Sequence, residues 1–218
     1  TASRPLAKGT LTHKNAILVL IALLTCSFLL VLMLNWLTIG LSFAALLCAS
    51  LYPFAKRVTH GAQVVLGLTF SFGILMAWTA VTGGLTEVPI FIFMANLFWA
   101  CGYDTIYAMM DAEDDIKIGV KSTAVFFRSK IALAIGLFFT LMMCFLLLVG
   151  REAGMERPYY LALMVVALAF IYQYSTVWCS SRYSTPLTQA RLFSLFKGHV
   201  FVGGVILTGI YFNYFLEV

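Results

Sequence analysis

Seven apolar runs dominate this sequence, and each is long enough, or nearly so, to cross the hydrocarbon core of a membrane. A spanning helix needs about 20 predominantly apolar residues and satisfies its own backbone hydrogen bonds in lipid. The predicted runs cover residues 15–34, 38–55, 62–82, 87–109, 130–149, 159–179 and 199–216. Composition agrees, since 62% of the residues are hydrophobic, only 11% are charged and the mean hydropathy is +0.97. The sequence therefore predicts an all-α membrane protein with seven transmembrane helices.

The connections between the runs contain ordinary helix-terminating residues. Thr10 and Thr12 are the candidate N-caps of the first run, and the turn Asn35–Thr38 is so short that the first two helices form an antiparallel hairpin. Gly83-Gly84 and Pro89 mark the boundaries of the third and fourth runs, and Pro158 lies at the start of the sixth, where a proline is tolerated. Neither a fixed-period repeat nor a linker divides the chain, so residues 1–218 are predicted to form one transmembrane helical domain.

Basic residues in the loops predict the orientation. Twelve of the 14 lie in alternate connections on one side: Arg4, Lys8, Lys14, Lys56, Arg57, Lys117, Lys121, Arg128, Lys130, Arg182, Arg191 and Lys197. By the positive-inside rule this side is cytoplasmic, together with the N-terminus, and the C-terminus is outside. A seven-helix receptor with an external N-terminus is disfavoured by this pattern.

Other classes of site are poorly matched by the sequence. The net charge of +5 resides in these loops and not in a basic–aromatic stripe, so no nucleic-acid partner is predicted. The five cysteines lie singly in or at the ends of apolar runs, which fits packing rather than a disulfide framework or a zinc site. His13, His60 and His199 fall in three different loops, where interfacial positions are predicted.

One segment, residues 103–115, concentrates the acidic residues. It holds five acids in twelve residues, among them every aspartate of the chain. In a helix of about 100° per residue, Asp104, Asp111 and Asp115 point within about 40° of one another. Three carboxylates on one stripe repel each other unless a cation lies between them, and Mg²⁺ is the ion whose ligands are one or two carboxylates, water and phosphate oxygens. The working hypothesis is a Mg²⁺–diphosphate site at the membrane surface.

Nearby cations fit this hypothesis, although each has a plainer interpretation. Lys117 and Lys121 follow the acids at a spacing suited to phosphate oxygens. Lys56 and Arg57 end the second run and are either interfacial anchors or a patch for a carboxylate or diphosphate, and Arg4 carries the same ambiguity. The whole acidic segment could instead be a solvated loop.

A rival from another class is a cation-coupled transporter in which the same three aspartates bind the transported ion. Such sites are expected near mid-membrane, in broken helices related by repeat symmetry. Here the acids cluster at a helix end, lysines follow them and no repeat is visible.

Three stretches resemble the UbiA superfamily of intramembrane prenyltransferases, and in particular its 4-hydroxybenzoate polyprenyltransferase branch. The longest is Tyr103-Asp-Thr-Ile-Tyr-Ala-Met-Met-Asp-Ala-Glu-Asp-Asp-Ile-Lys-Ile-Gly-Val-Lys-Ser-Thr123, which is similar to the second aspartate-rich motif of that family. The others are Thr1-Ala-Ser-Arg-Pro-Leu6 and Tyr52-Pro-Phe-Ala-Lys-Arg57. The resemblance covers essentially the whole chain in order and spacing.

The resemblance implies a role for each candidate residue. Asp111 and Asp115 would bind Mg²⁺ and through it the prenyl diphosphate, with Asp104 as a further catalytic acid of the site. Lys117, Lys121 and Arg4 would neutralise diphosphate oxygens, and Lys56 and Arg57 would hold the aromatic carboxylate or the diphosphate.

The resemblance also implies a reaction and a setting. A polyprenyl group would pass from polyprenyl diphosphate to the ring of 4-hydroxybenzoate, ortho to the hydroxyl, in ubiquinone biosynthesis. The setting would be the bilayer of a bacterial inner membrane, with other ubiquinone-biosynthesis proteins as partners.

The sequence also departs from the family pattern. Family members have nine helices and an Asn-Asp-x-x-Asp-x-x-x-Asp motif just upstream of the Arg-Pro-Leu segment, whereas this sequence begins at that segment. We therefore expect the last seven helices of a nine-helix bundle, half of the metal site, and little or no activity from this chain alone.

Overall fold

The computed structural model describes residues 4–119, 121–183 and 185–215, with every side chain in these ranges except those of Lys56 and Ser129. The regular structure of these ranges is helical. The helices are α1 (His13–Val31), α2 (Trp36–Val58), α3 (Ala62–Thr82), α4 (Glu87–Ile118), α5 (Thr123–Phe127), α6 (Ile131–Glu152), α7 (Arg157–Arg182) and α8 (Gln189–Phe215), with a 3₁₀ turn at Arg128–Lys130. Seven of them, all but α5, are long and apolar enough to cross a membrane. The predicted fold class and number of spans are confirmed.

Two helix boundaries differ from the predicted ones in ways that matter for the site. The fourth run was expected to end at residue 109, but α4 continues as one helix to Ile118. The last run was expected to begin at residue 199, but α8 begins at Gln189. Hydropathy marks where a helix leaves the hydrocarbon, whereas the helix itself continues for as long as its backbone hydrogen bonds persist in polar surroundings.

The helix ends follow the expected local chemistry. Thr12 and Asn35 cap α1 and α2 by accepting hydrogen bonds from the backbone N–H groups of Asn15 and Thr38. Gly83 ends α3 with φ of 74°, a left-handed conformation that glycine adopts without steric cost. Pro158 lies in the first turn of α7.

Helix α4 is the centre of the bundle, because α3, α6 and α8 all pack against it. Small residues allow the closest approaches: Gly67 of α3 contacts Leu97 and Ala100, and Gly102 of α4 faces the Phe139 ring. Helix α1 contributes no buried residue and packs on α2.

Successive long helices run antiparallel, as the residue contacts between them require. Thr38 meets Thr79 and Asn96 meets Ser71, so α2, α3 and α4 alternate in direction. We call the end of the bundle formed by residues 4–12, 59–61, 119, 121–130, 183 and 185–188 the basic end. That this end faces the cytoplasm stays a prediction.

Candidate functional site

The three predicted site aspartates lie on α4 near the basic end. Because α4 is one uninterrupted helix from Glu87 to Ile118, Asp104, Asp111 and Asp115 share one stripe. Asp111 and Asp115 are one turn apart, about 6 Å along the axis, while Asp104 lies about 10 Å deeper than Asp111. Asp111 is exposed, and Asp104 and Asp115 are half-buried. The stripe presents a close carboxylate pair at the surface and a third acid beneath it.

The structure does not assemble a larger metal cage from the described side chains. Within residues 4–119, 121–183 and 185–215, no three His, Cys, Asp or Glu side chains lie close enough to hold one ion. The i, i+4 pair of Asp111 and Asp115 supplies two oxygen ligands, which matches the one or two carboxylates that Mg²⁺ takes when phosphate and water complete its shell. The donor set therefore fits Mg²⁺ together with a phosphorylated ligand.

The two lysines that follow the acids point in different directions. Lys117 Nζ lies 3.1 Å from Asp114 Oδ1 in an ion pair whose side chains are both exposed. Lys121 Nζ donates a hydrogen bond of 3.0 Å to the carbonyl of Val58, at the last residue of α2. Lys121 thus joins the α4–α5 connection to the end of α2 that carries Arg57.

The remaining predicted cations are less closely tied to the stripe. Arg57 is exposed, and the side chain of Lys56 lies outside the described residues. Arg4 is exposed in a turn where its carbonyl accepts from the Lys8 N–H at 2.9 Å, and no ion pair links Arg4 to an acid in the described part of the chain. The structure therefore brings Lys121 to the end of α2, and the role of Arg4 stays a prediction.

A buried threonine pair fixes the chain around the stripe. Thr105, the residue after Asp104, is fully buried; its Oγ1 lies 2.8 Å from Thr123 Oγ1 and donates to the Cys101 carbonyl at 2.6 Å. This contact holds the first residue of α5 against α4 at the depth of Asp104. Both threonines lie in the long motif, yet nothing in their spacing along the sequence signals that they meet.

A cavity of about 600 Å³ lies between α3, α4 and α8, next to the stripe. Its lining is mainly apolar, and Tyr103, the neighbour of Asp104, forms part of its wall. The other lining residues are Phe70, Ile74, Asn96, Trp99, Phe196, Lys197, His199, Val200, Gly203 and Gly204. A cavity of this size and polarity suits an apolar ligand or part of a long one.

The prediction that His199 is interfacial is wrong. It lies inside α8 and is only 6% exposed, and its Nδ1 accepts a 2.8 Å hydrogen bond from Trp99 Nε1 of α4. The error follows from the late start assigned to the last helix, which put this residue at the predicted helix end instead of ten residues inside α8. His199 ties α8 to α4 and supports the cavity wall.

The cysteine prediction is correct for one residue and wrong for others. Cys101 is buried in the bundle and Cys48 is half-buried, but Cys26, Cys144 and Cys179 are exposed on the outer surface. A cysteine in an apolar run faces either the core or the lipid, and composition alone does not distinguish the two.

Comparisons with known proteins agree with the earlier resemblance. Residues 1–197 match the UbiA prenyltransferase family. The chain is 43% identical over 214 residues to a 4-hydroxybenzoate octaprenyltransferase of Providencia stuartii, covering 98% of this chain and 72% of that protein. It is 41% identical over 210 residues to the enzyme of the same name from Vibrio campbellii, covering 96% and 72%.

A solved structure supports the architecture independently. The apo structure of a UbiA homolog from Aeropyrum pernix K1 superposes with a TM-score of 0.80 at 22% identity, over 98% of this chain and 77% of that one. At this level of identity the likeness establishes the fold.

Proposed function

Because the chain belongs to the UbiA prenyltransferase family, we propose that it transfers a polyprenyl group from polyprenyl diphosphate to the ring of 4-hydroxybenzoate, in ubiquinone biosynthesis. The observation that carries the proposal is identity above 40% over nearly the whole chain with enzymes named for that reaction. The surface pair of acids on α4, beside an apolar cavity, supports it. With seven apolar helices, the chain is a multi-pass membrane protein, and we place it in a bacterial inner membrane with the basic end cytoplasmic.

Each end of the site suits one part of the donor substrate. Asp111 and Asp115 would hold Mg²⁺, which when bound stabilises the negative charge that develops on the leaving diphosphate. Lys121 and Lys117 lie in the segment that follows and would donate hydrogen bonds to diphosphate oxygens after releasing the Val58 carbonyl and Asp114. The isoprenoid chain would lie in the apolar cavity, where the helices exclude water from the allylic carbon.

The acceptor would approach from the end of α2. In this arrangement Arg57, with Lys56, holds the aromatic carboxylate, and the ring lies over the allylic carbon with its hydroxyl directing attack to the ortho position. Asp104 lies deeper on the same stripe and is the acid placed nearest to the cavity wall through its neighbour Tyr103. Its proposed role is to complete the polar lining where the two substrates meet.

The transporter alternative finds no support. The acids lie near the end of one unbroken helix, whereas ion sites of such transporters are built on interrupted helices. The relatives are named as transferases.

The test is a transfer assay in membranes with radiolabelled 4-hydroxybenzoate and a long-chain polyprenyl diphosphate. We expect Mg²⁺-dependent, lipid-soluble product, and the assay is run both on this chain and on a form extended upstream to include the first acidic motif. Asp111→Asn and Asp115→Asn in the extended form should each lower turnover at least a hundredfold.

Asp114→Asn is the matched control, since this acid lies on the same segment but off the stripe. Equal losses from all three substitutions would show that the segment acts through its net charge and not through the stripe. Full activity without divalent metal would refute the metal role, and no product from either form with any hydroxybenzoate would refute the proposed reaction.

A further inference from the structure

Lys197 is a cation at the mouth of the cavity to which the transfer reaction as proposed assigns no role. It lies in α8, eight residues after the helix begins, and its side chain lines the cavity beside Tyr103 and Phe196. Its Nζ lies 4.9 Å from the centre of the Phe193 ring. In the described part of the chain no carboxylate lies within ion-pairing distance of this ammonium group.

The contacts between α8 and α4 give the depth of Lys197. Phe196 lies against Tyr103, with ring centres 5.9 Å apart, and against Tyr107 at 5.1 Å. Because the two helices run antiparallel, the next residue along α8 lies level with Asp104. The backbone of Lys197 is therefore about 10 Å deeper than that of Asp111 and about 16 Å deeper than that of Asp115 along the helix axis, while its Nζ lies beside Phe193, about one turn nearer the basic end.

Lys197 thus approaches the site from α8, whereas the proposed diphosphate ligands lie on α4 and the segment that follows it. Its exposed ammonium group turns toward Phe193 at the mouth of the cavity. This position suits a second anionic group that enters the cavity with an apolar chain attached.

The cavity itself defines the shape of that ligand. It runs from Lys197 and Tyr103 at the basic end to Ile74 and Asn96 deeper in the bilayer, and its wall is mostly apolar. Helices α3 and α8 form its two sides by packing on α4. A ligand with an anionic head at the membrane surface and a hydrocarbon chain below it matches both ends.

Resting on the proposed function, we propose that Lys197 binds the carboxylate of the prenylated hydroxybenzoate, the product of the reaction. The product is the one species of the reaction that carries a carboxylate and a polyprenyl chain together. Once the carbon–carbon bond has formed, the chain in the cavity draws the ring toward the cavity mouth, and the carboxylate passes from Arg57 to the ammonium group of Lys197. Lys197 is thus a residue for product retention and release, distinct from the residues that bind diphosphate.

The experiment measures binding without turnover, in nanodiscs of zwitterionic lipid so that anionic headgroups do not compete. The probes are 3-geranyl-4-hydroxybenzoate, its decarboxylated analogue 2-geranylphenol, and geranyl thiodiphosphate with Mg²⁺. We expect Lys197→Met to lower the affinity for the carboxylate probe about tenfold and to leave the affinities for the other two probes unchanged. A tenfold loss is at the low end for a charge-assisted hydrogen bond, as expected at an exposed site. Lys197→Arg should retain most of the affinity.

Arg182→Gln is the matched control, because this arginine ends α7 at the same end of the bundle and does not line the cavity. It should alter none of the three affinities. If Lys197→Met lowers the affinities for the carboxylate probe and the phenol equally, the lysine only shapes the cavity. If it lowers the affinity for the thiodiphosphate alone, the lysine binds the prenyl donor. Either result, or no change at all, overturns the proposal.

The outcome is separable from that of the proposed function. If the transfer assay succeeds and Lys197→Met binds all probes normally, the inference about Lys197 fails alone. If no transfer occurs with any acceptor but the carboxylate probe binds in a Lys197-dependent manner, the cavity is a site for anionic amphiphiles and the proposed reaction fails.

Discussion

Gly102 is the position where the site on α4 depends most directly on close helix packing. A Cβ added there would lie 2.4 Å from Cε1 and 2.8 Å from Cδ1 of Phe139 on α6. Ordinary carbon–carbon contact is about 3.5–4.0 Å, so the ring or the helix would have to shift by roughly 1 Å. Gly102 is two residues before Asp104, so a displaced α4 would displace the acid as well.

Phe139 has little freedom to make room. Its side chain is 3% exposed and stacks on Phe170 with ring centres 4.1 Å apart, while the His199 ring lies 5.5 Å away on another side. Overpacking of this kind costs about 1–3 kcal/mol. We expect Gly102→Ala to lower the free energy of unfolding by that amount and to raise the KM for the prenyl donor.

The assay is reversible unfolding in mixed micelles, followed by tryptophan fluorescence, with Gly204→Ala as the control. A Cβ at Gly204 meets nothing within 4 Å, so this change should be neutral or slightly stabilising. Phe139→Leu should recover part of the loss in Gly102→Ala, with a coupling energy of about 1 kcal/mol or more. Equal stability of the two alanine variants, or no coupling with Phe139→Leu, would refute the steric argument.

Three smaller changes test the surroundings of the acid stripe. Thr105→Val removes the buried hydrogen bond to Thr123 and should lower the free energy of unfolding by about 1–2 kcal/mol, because the Thr123 hydroxyl loses its partner. The same unfolding assay measures it, and no loss would mean that the threonine pair does not stabilise the fold. Lys121→Met should raise the KM for the diphosphate donor severalfold in steady-state assays. It should change the free energy of unfolding by less than 1 kcal/mol, since the hydrogen bond to the end of α2 is exposed. An unchanged KM would show that Lys121 does not bind the donor. Asp114→Asn breaks the exposed ion pair with Lys117 and should change the free energy of unfolding by less than 0.5 kcal/mol. A larger effect in the same assay would show that this pair is not simply a solvent-exposed one.

The features that could be predicted from the sequence are those set by local chemistry. Apolar runs, cap residues and the helical spacing of Asp104, Asp111 and Asp115 each depend on neighbours within a few positions, and the structure agrees with them. The ligands of the proposed metal could likewise be named from residue type and spacing, helped by the resemblance.

The features that could not be predicted depend on contacts between distant parts of the chain. Lys121 meets the Val58 carbonyl across 63 positions, and Trp99 meets His199 across 100. Neither pair shares a motif, and each is decided by how α2, α4 and α8 pack. The boundary errors have a related cause, since hydropathy reports the surrounding solvent and not the persistence of helical hydrogen bonding.

The continuity of α4 through the acid segment has a consequence of its own for the site. Because one helix connects the packed bundle to the surface pair, inserting one alanine between Met109 and Met110 should turn Asp111 and Asp115 by about 100° and lift them by about 1.5 Å relative to Asp104. A misplacement of this size can cost about a hundredfold in rate, so transfer by the extended form should fall at least that far. The control is one alanine inserted between Ile116 and Lys117, which leaves all three acids in place but displaces Lys117 and Lys121, and it should lower turnover only severalfold. If the two insertions lower turnover equally while both proteins remain folded, the acids act as a flexible cluster and not as a stripe fixed by the helix.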